Sequence, residues 1–181
     1  DLLPDYTGNL LQFLNPKATV TASQAVYNQL REVLPDGLRI LNQAPASDQD
    51  SYVVSAKLAQ RYNLKQIGDL RAVPNLVLGG NSELETRPYG PKGLKSIYGV
   101  NAKFSPIEDS GGALTVKALR DNSIQLADIY SSDPVLASSD LVVLADPKSL
   151  FLASQVVPVI SERIDERAGA QINRISAALT S

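Results

Sequence analysis

Short apolar runs alternate with amphipathic stretches along the whole chain, and no run approaches the about 18 apolar residues of a membrane span. Such alternation predicts an α/β fold with mainly parallel sheets, because helices placed between strands cover the faces of the sheet. In "TASQAVYNQLREVLP", Ala25, Val26, Leu30, Val33 and Leu34 share one helical face, and Thr21 or Ser23 starts it. Further helices are expected over residues 64–70, over 90–99 behind Pro91, and over 110–124 behind Ser110. A last one covers 165–179, with Ile172, Ile175, Ala178 and Leu179 on one stripe. Strands are expected over 38–41, 51–59, 75–80, 102–108, 140–147 and 155–160, and over 125–134 running into a turn. Leu2 and Leu3 read as the end of another, buried strand.

The 181 residues suffice for one large domain or two small lobes. Cys, His, Met and Trp are all absent. That removes thiol nucleophiles, histidine bases, Ser-His-Asp triads and ordinary zinc sites. A net charge of −2 with no basic block argues against nucleic acid as a partner. The lack of Cys fits an exported protein without disulfides and a cytosolic one equally. The chain starts mid-strand without Met, which reads as a cut that leaves room for a lost targeting segment.

In α/β sheets ligands bind beyond the carboxyl ends of strands. The polar residues there are Tyr6 and Thr7, the stretch 79–87 and the stretch 130–133. "DLLPDYTGNLL" is either a turn in which Thr7 or Asp5 caps a helix over 9–14, or a ligand corner. In "GGNSELETRPYG" two glycines allow close backbone approach, and Glu83, Glu85 and Arg87 crowd the turn. Arg87 there is either a surface ion-pair member or a fork for a carboxylate. No Gly-Lys-Ser/Thr follows, so this is not a phosphate loop. Tyr27, Tyr62 and Tyr98 sit on apolar stripes and read as core. Tyr6, Tyr52 and Tyr130 lie at element edges, where they either pack or line a box for a quaternary ammonium. Asp50 would reinforce such a cation site or merely solvate its connector. Neither Asp48 with Asp50 nor Glu83 with Glu85 makes an acid–base pair by adjacency alone. "SGG" (110–112) suits an anion or a tight turn.

Five blocks in order, "DLLPDYTGNLL", "DQDSYVVS", "GGNSELETRPYGPKGLKSIYG", "DSGGALTVKALRDNSIQLADIYSSDP" and "LVVLADPKSLFLASQVVPVI", resemble the substrate-binding proteins of osmoprotectant ABC importers. Those are the glycine betaine/choline/carnitine-binding proteins. The resemblance implies a two-lobed, type II periplasmic-binding-protein fold: residues 1–45 in lobe one, 46–145 as lobe two, and 146–181 returning to lobe one. It further implies that lobe two is complete and that lobe one is partial, lacking about one βαβ portion before "LLPDYTG" and helix after "AALTS". A missing sheet edge should expose apolar surface or be covered by another chain, which makes an oligomer conceivable.

The same resemblance assigns residues. Tyr6 matches the tyrosine that packs on a trimethylammonium, with Thr7 in the same corner. Asn9 stands where some members have a carboxylate-binding Thr. Asp50 and Tyr52 match an Asp-x-Tyr element, Arg87 the carboxylate fork, and Tyr130 a further box ring. This favours the ligand-corner reading of Tyr6. Many members have a fourth tyrosine where this chain has Ala153, Ser154 and Gln155. The implied ligand is a zwitterion or quaternary ammonium such as glycine betaine, choline, carnitine or ergothioneine, and the implied partner an ABC permease. No cofactor, no metal and no catalysis are implied, and the setting is extracytoplasmic, with any membrane anchor outside this chain. The alternatives are an enzyme on the same fold, disfavoured by the missing His and Cys, and a sensor or interaction ectodomain whose ligand differs or is lost.

Overall fold

The computed structural model describes residues 1–180. Its chain order is β1 (Leu2–Tyr6), α1 (Thr7–Leu14), α2 (Ser23–Val33), β2 (Leu38–Ile40), β3 (Asp50–Ser55), α3 (Ala56–Tyr62) and β4 (Val77–Gly80). Then follow α4 (Pro91–Gly93), continued by a wider π turn over Leu94–Tyr98, β5 (Lys103–Pro106), α5 (Ala113–Arg120), β6 (Leu126–Tyr130), β7 (Leu141–Val143), β8 (Val156–Ser161) and α6 (Glu166–Ala178). Short 3₁₀ segments cover Ile67–Ala72, Ser82–Glu85 and Pro134–Ala137. Two compact units result: Asp1–Gln49 with Leu152–Ser181, and Asp50–Phe151.

The first unit is built on the sheet β1-β8-β2, antiparallel throughout. α1 and α2 bury Leu11, Val26 and Leu30 against Ile40, Leu152, Val157 and Val159. The strand at the N-terminus is not buried. β1 is an edge of its sheet, and Leu2 and Leu3 are 52% and 58% exposed. α6 also departs from its sequence stripe. Its buried positions are Gly169 and Ser176, whose hydroxyl donates to the Asn42 carbonyl at 3.0 Å. Asn173 Oδ1 accepts from the Asn42 N–H at 2.9 Å. A polar seam fixes this helix, so Ile175 and Leu179 stay exposed and line an open apolar groove with Leu2, Pro4 and Pro158.

The second unit carries the five-stranded sheet β5-β4-β6-β3-β7. Only the two pairings of β4, with β5 and β6, are parallel; β3 runs antiparallel to both β6 and β7. The mainly parallel expectation therefore fails in both sheets. Strand–helix alternation fixes direction only between strands that are consecutive both in sequence and in the sheet. The neighbours of β3 are β6 and β7, which arrive later in the chain. β3 is also shorter than the run 51–59 suggests. Ser55 Oγ accepts from the Leu58 N–H at 3.2 Å and turns the chain into α3. One core cluster gathers Tyr52, Val54, Leu78, Leu94, Leu126 and Phe151, and another gathers Val53, Val116, Leu119, Ile124 and Ile129.

α5 begins three residues later than Ser110, because the capping group is Asp109. Its carboxylate accepts from the N–H groups of Leu114 (2.6 Å) and Thr115 (3.2 Å) and from the Thr115 hydroxyl (2.6 Å). Burial alone would raise this carboxyl, but the bonds from Thr115 and Leu114 hold it below the ordinary range. A depressed folded value stabilises above the unfolded pKa of about 3.9 and is lost as pH falls through the folded one. Asp109→Ala is therefore expected to cost about 0.5–2 kcal/mol at neutral pH. In urea melts the deficit against the parent should shrink toward acid pH. A pH-independent deficit would mean that packing, not the ionised cap, holds α5.

Candidate functional site

The β3–β6 register opposes Asp50 to Tyr130 and Tyr52 to Asp128. Opposed residues, and residues two apart on one strand, share a sheet face. Four polar or aromatic side chains thus stand together on one side of the sheet, although about 80 residues separate the strands in sequence. Asp50, Asp128 and Tyr130 line a single cavity in the second unit with Glu83, Arg87 and Tyr89.

The segment after β4 closes this cavity. Gly79 and Gly80 serve packing there. A Cβ on Gly79 would lie 2.5 Å from Ile124 Cδ1, and one on Gly80 2.7 Å from Leu84 Cδ2. Gly90 lets the chain turn back over the Ser82–Glu85 turn, since a Cβ would sit 1.9 Å from the Leu84 carbonyl oxygen. That turn brings Tyr89 inward to 7% exposure, with its ring against Phe151 at 5.5 Å between centroids. Asn81 and Ser110 clamp the neighbouring loop. Asn81 Nδ2 donates to Ser110 Oγ at 3.0 Å, and the Ser110 N–H donates to Asn81 Oδ1 at 2.9 Å. Ser110 (φ +54°) and Gly111 (φ +79°) both adopt left-handed backbone, and a Cβ on Gly111 would lie 2.9 Å from the Asp128 carbonyl oxygen. The loop 110–112 is thus a tight turn, and the N–H groups of the helix start behind it are given to Asp109.

Of the residues singled out in the sequence, Asp50, Arg87 and Tyr130 line this cavity. Arg87 Nη2 pairs with Glu83 Oε2 at 2.9 Å, one turn earlier. Tyr52 lies on the same face but beneath the surface. It has no exposed area, its ring meets Phe151 edge-on at 5.0 Å, and its hydroxyl donates to the Tyr89 carbonyl. No face of Tyr52 is offered to solvent. Tyr6, Thr7 and Asn9 belong to the first unit. Tyr6 is 37% exposed, and Asn9 is half-buried in α1. Thr7 is buried, its N–H donates to the Gln155 carbonyl at 2.9 Å, and its hydroxyl accepts from the Gln155 N–H at 3.0 Å. Neither Asp5 nor Thr7 caps α1; the cap position is Tyr6, without a side-chain bond, and Asp5 Oδ1 accepts the Tyr6 N–H at 2.7 Å.

Two members of the cavity were not singled out from the sequence, Tyr89 and Asp128. The signal for Asp128 was available, since it is a charged residue inside the strand run "LADIY", two before Tyr130. Asp50, Asp128 and the Tyr89 hydroxyl stand close enough on this wall for each to shift the titration of its neighbour. Burial pushes Asp128 well above the usual carboxylate range, and the charge of Asp50 pushes it further. Burial also raises Asp50, against Tyr89, Asp128 and the Arg87 charge, which lower it. Burial and then Asp50 raise the Tyr89 hydroxyl in turn. The arrangement is an anionic wall with a tyrosine ring on one side and a guanidinium on the other. Among the described residues no group of three His, Cys, Asp or Glu side chains could hold a metal, and no helix is long and apolar enough to cross a membrane.

The model of OpuAC, the substrate-binding domain of ABC-type glycine betaine transport systems, matches residues 1–180. The chain belongs to this family. The carnitine transport binding protein OpuCC of Listeria monocytogenes is 30% identical to this OpuAC domain over 102 residues, 55% of this chain and 32% of that protein. The matched segment thus spans about a third of the length of its curated relative. Among solved structures, a glycine betaine/carnitine/choline ABC transporter superposes with a TM-score of 0.72 at 22% identity, over 98% of this chain and 66% of the other. Apo YehZ from Escherichia coli gives 0.63 at 21% identity, over 99% and 70%. Lactococcal OpuAC complexed with glycine betaine gives 0.56 at 16%, over 98% and 70%. These likenesses show the α/β periplasmic-binding-protein-like fold of the OpuAC domain.

Proposed function

We propose that the chain captures a quaternary-ammonium or zwitterionic solute of the glycine betaine, choline or carnitine type, and delivers it to an ABC permease outside the cytoplasm. The two units correspond to the two lobes of the binding protein. The observation that carries the reading is the convergence of Asp50, Arg87 and Tyr130, far apart in sequence, on one cavity. A cationic head is attracted to a tyrosine face and to a carboxylate, and a guanidinium forks a carboxylate. Tyr130 and Asp50 would take the cationic end, and Arg87 the anionic end. Tyr6 and Asn9 are the ligand residues proposed for the first unit, with Thr7 bracing their corner. Tyr52 supports the site from below by holding the Tyr89 backbone.

Calorimetry of the complete protein against glycine betaine, choline, carnitine and ergothioneine tests this. Micromolar binding of at least one supports capture; no saturable heat with any would favour a sensor that has lost such ligands. In the same assay Tyr130→Ala is expected to weaken every quaternary ammonium ligand by roughly 2- to 30-fold, the equivalent of one cation–π contact. Unchanged affinity would remove Tyr130 from the site.

A further inference from the structure

The charges around Asp128 do not balance. From β3 it faces Asp50 and Tyr52, and from its own strand Tyr130; from the segment after β4 come Glu83, Arg87 and Tyr89. The loop before α5 contributes only the uncharged Ser110 and Gly111. Arg87 is the single cation lining the cavity, and it is already paired with Glu83. Asp50 and Asp128, close enough to shift each other's titration, therefore have no cation of their own. Two adjacent carboxylates cannot both ionise at such a site, and one proton stays between them. Asp128 is the carboxyl that keeps it. Its Oδ1 is sealed from water with no hydrogen-bond partner, a position that an ionised oxygen tolerates poorly. Asp50 has the Tyr89 hydroxyl to stabilise its charge.

We infer that Asp128 reads the ligand's charge: the Asp50–Asp128 pair holds one proton in the unliganded protein and releases it when a cationic head group enters the cavity. This rests on the ligand reading above and adds a specificity-determining residue to it. The balance is simple. The O–H bond of Asp128 breaks, its proton passes to solvent, and the ligand cation replaces it as the counter-charge of a now doubly anionic pair. A neutral solute of the same shape supplies no replacement charge, so the pair keeps its proton and the solute gains nothing from it. The cavity thereby separates a trimethylammonium from a tert-butyl group, which shape alone cannot do.

Calorimetry of the complete protein with choline, in buffers of different ionisation enthalpy, tests this. The observed heat should vary with the buffer, with a slope approaching one proton released per ligand, and affinity should rise with pH by up to about tenfold per unit. Asp128→Asn keeps the shape but has no proton to lose. Its binding heat should be independent of buffer and its affinity flat with pH. If Asp128→Asn does not fold, Asp50→Asn removes the charge that helps hold the proton on Asp128, so its buffer-dependent slope should fall below the parent's, and an unchanged slope would overturn the pair as the holder of the proton. The neutral carbon isostere of choline, with tert-butyl in place of trimethylammonium, should release no proton from the parent protein. Binding of choline by the parent with no buffer dependence overturns this inference and leaves the proposed function standing. Absence of binding by any of the quaternary ammonium solutes overturns both.

Discussion

Arg87→Ala is expected to abolish capture of glycine betaine and carnitine while leaving choline binding intact. A charge-assisted hydrogen bond contributes about 1.5–3 kcal/mol, and a forked guanidinium–carboxylate pair forms two. Loss of that fork should weaken carboxylate-bearing solutes by about 100-fold or more. Choline has no carboxylate, so it loses no partner. It also gains from the charge left behind. Without Arg87, the Glu83 carboxylate 2.9 Å away has no cation, and the cavity becomes more anionic. Choline affinity should therefore hold or rise slightly. Arg87→Lys keeps the charge without the planar fork, and should fall between the two for carnitine. Calorimetry on all three solutes reads the result. An equal loss for choline and betaine would show that Arg87 braces the cavity wall rather than meeting the ligand.

Much of this arrangement follows from local signals, and the rest from pairing between distant strands. "NLVLGG" becomes β4 because a buried apolar run bounded by turn residues has few other solutions, and "AKFSPIE" becomes the edge strand β5 because its residues alternate as a half-exposed strand requires. Pro91 opens a helix for the same local reason. The direction of β3 is different. Nothing in "DSYVVS" says that its neighbours will be β6 and β7, so neither the antiparallel sheet nor the Asp50–Asp128 pair could be read from it. Exposure fails the same way for Leu2, Leu3 and Ile175. Apolar residues at strand or helix spacing mark a face, but what covers that face lies elsewhere in the chain. The readings of Asp5 and Thr7 as caps fail because Thr7 finds a better partner 148 residues away, in the backbone of Gln155. At the site the residue types were legible and the depth was not. An Asp-x-Tyr pair on a strand puts both side chains on one face, while the fold decides which of them reaches the surface.

That difference in depth gives the second large effect. Tyr52→Ala should cost about 3–5 kcal/mol, the range for emptying a core aromatic site, against a total stability of about 5–15 kcal/mol for a typical domain. The ring has no exposed area and meets Phe151 at 5.0 Å, so its removal leaves a cavity that the sheet cannot close. Tyr52→Phe separates the ring from its hydroxyl. It keeps the packing but strands the Tyr89 carbonyl, at an expected cost of about 1–3 kcal/mol. Tyr52→Leu then separates core from ligand site, because it keeps apolar bulk and removes the π face. With the whole ring buried and no face open to solvent, Tyr52→Leu should lower the melting temperature. It should also leave the affinity for quaternary ammonium ligands within a few-fold of the parent at a temperature where both are folded. Tyr130→Ala should do the reverse, losing affinity with little loss of stability, since Tyr130 is half-buried at the cavity wall. If Tyr52→Leu instead loses affinity as Tyr130→Ala does, with its melting temperature unchanged, the ring of Tyr52 turns to the ligand in the bound protein and the core role assigned to it is wrong.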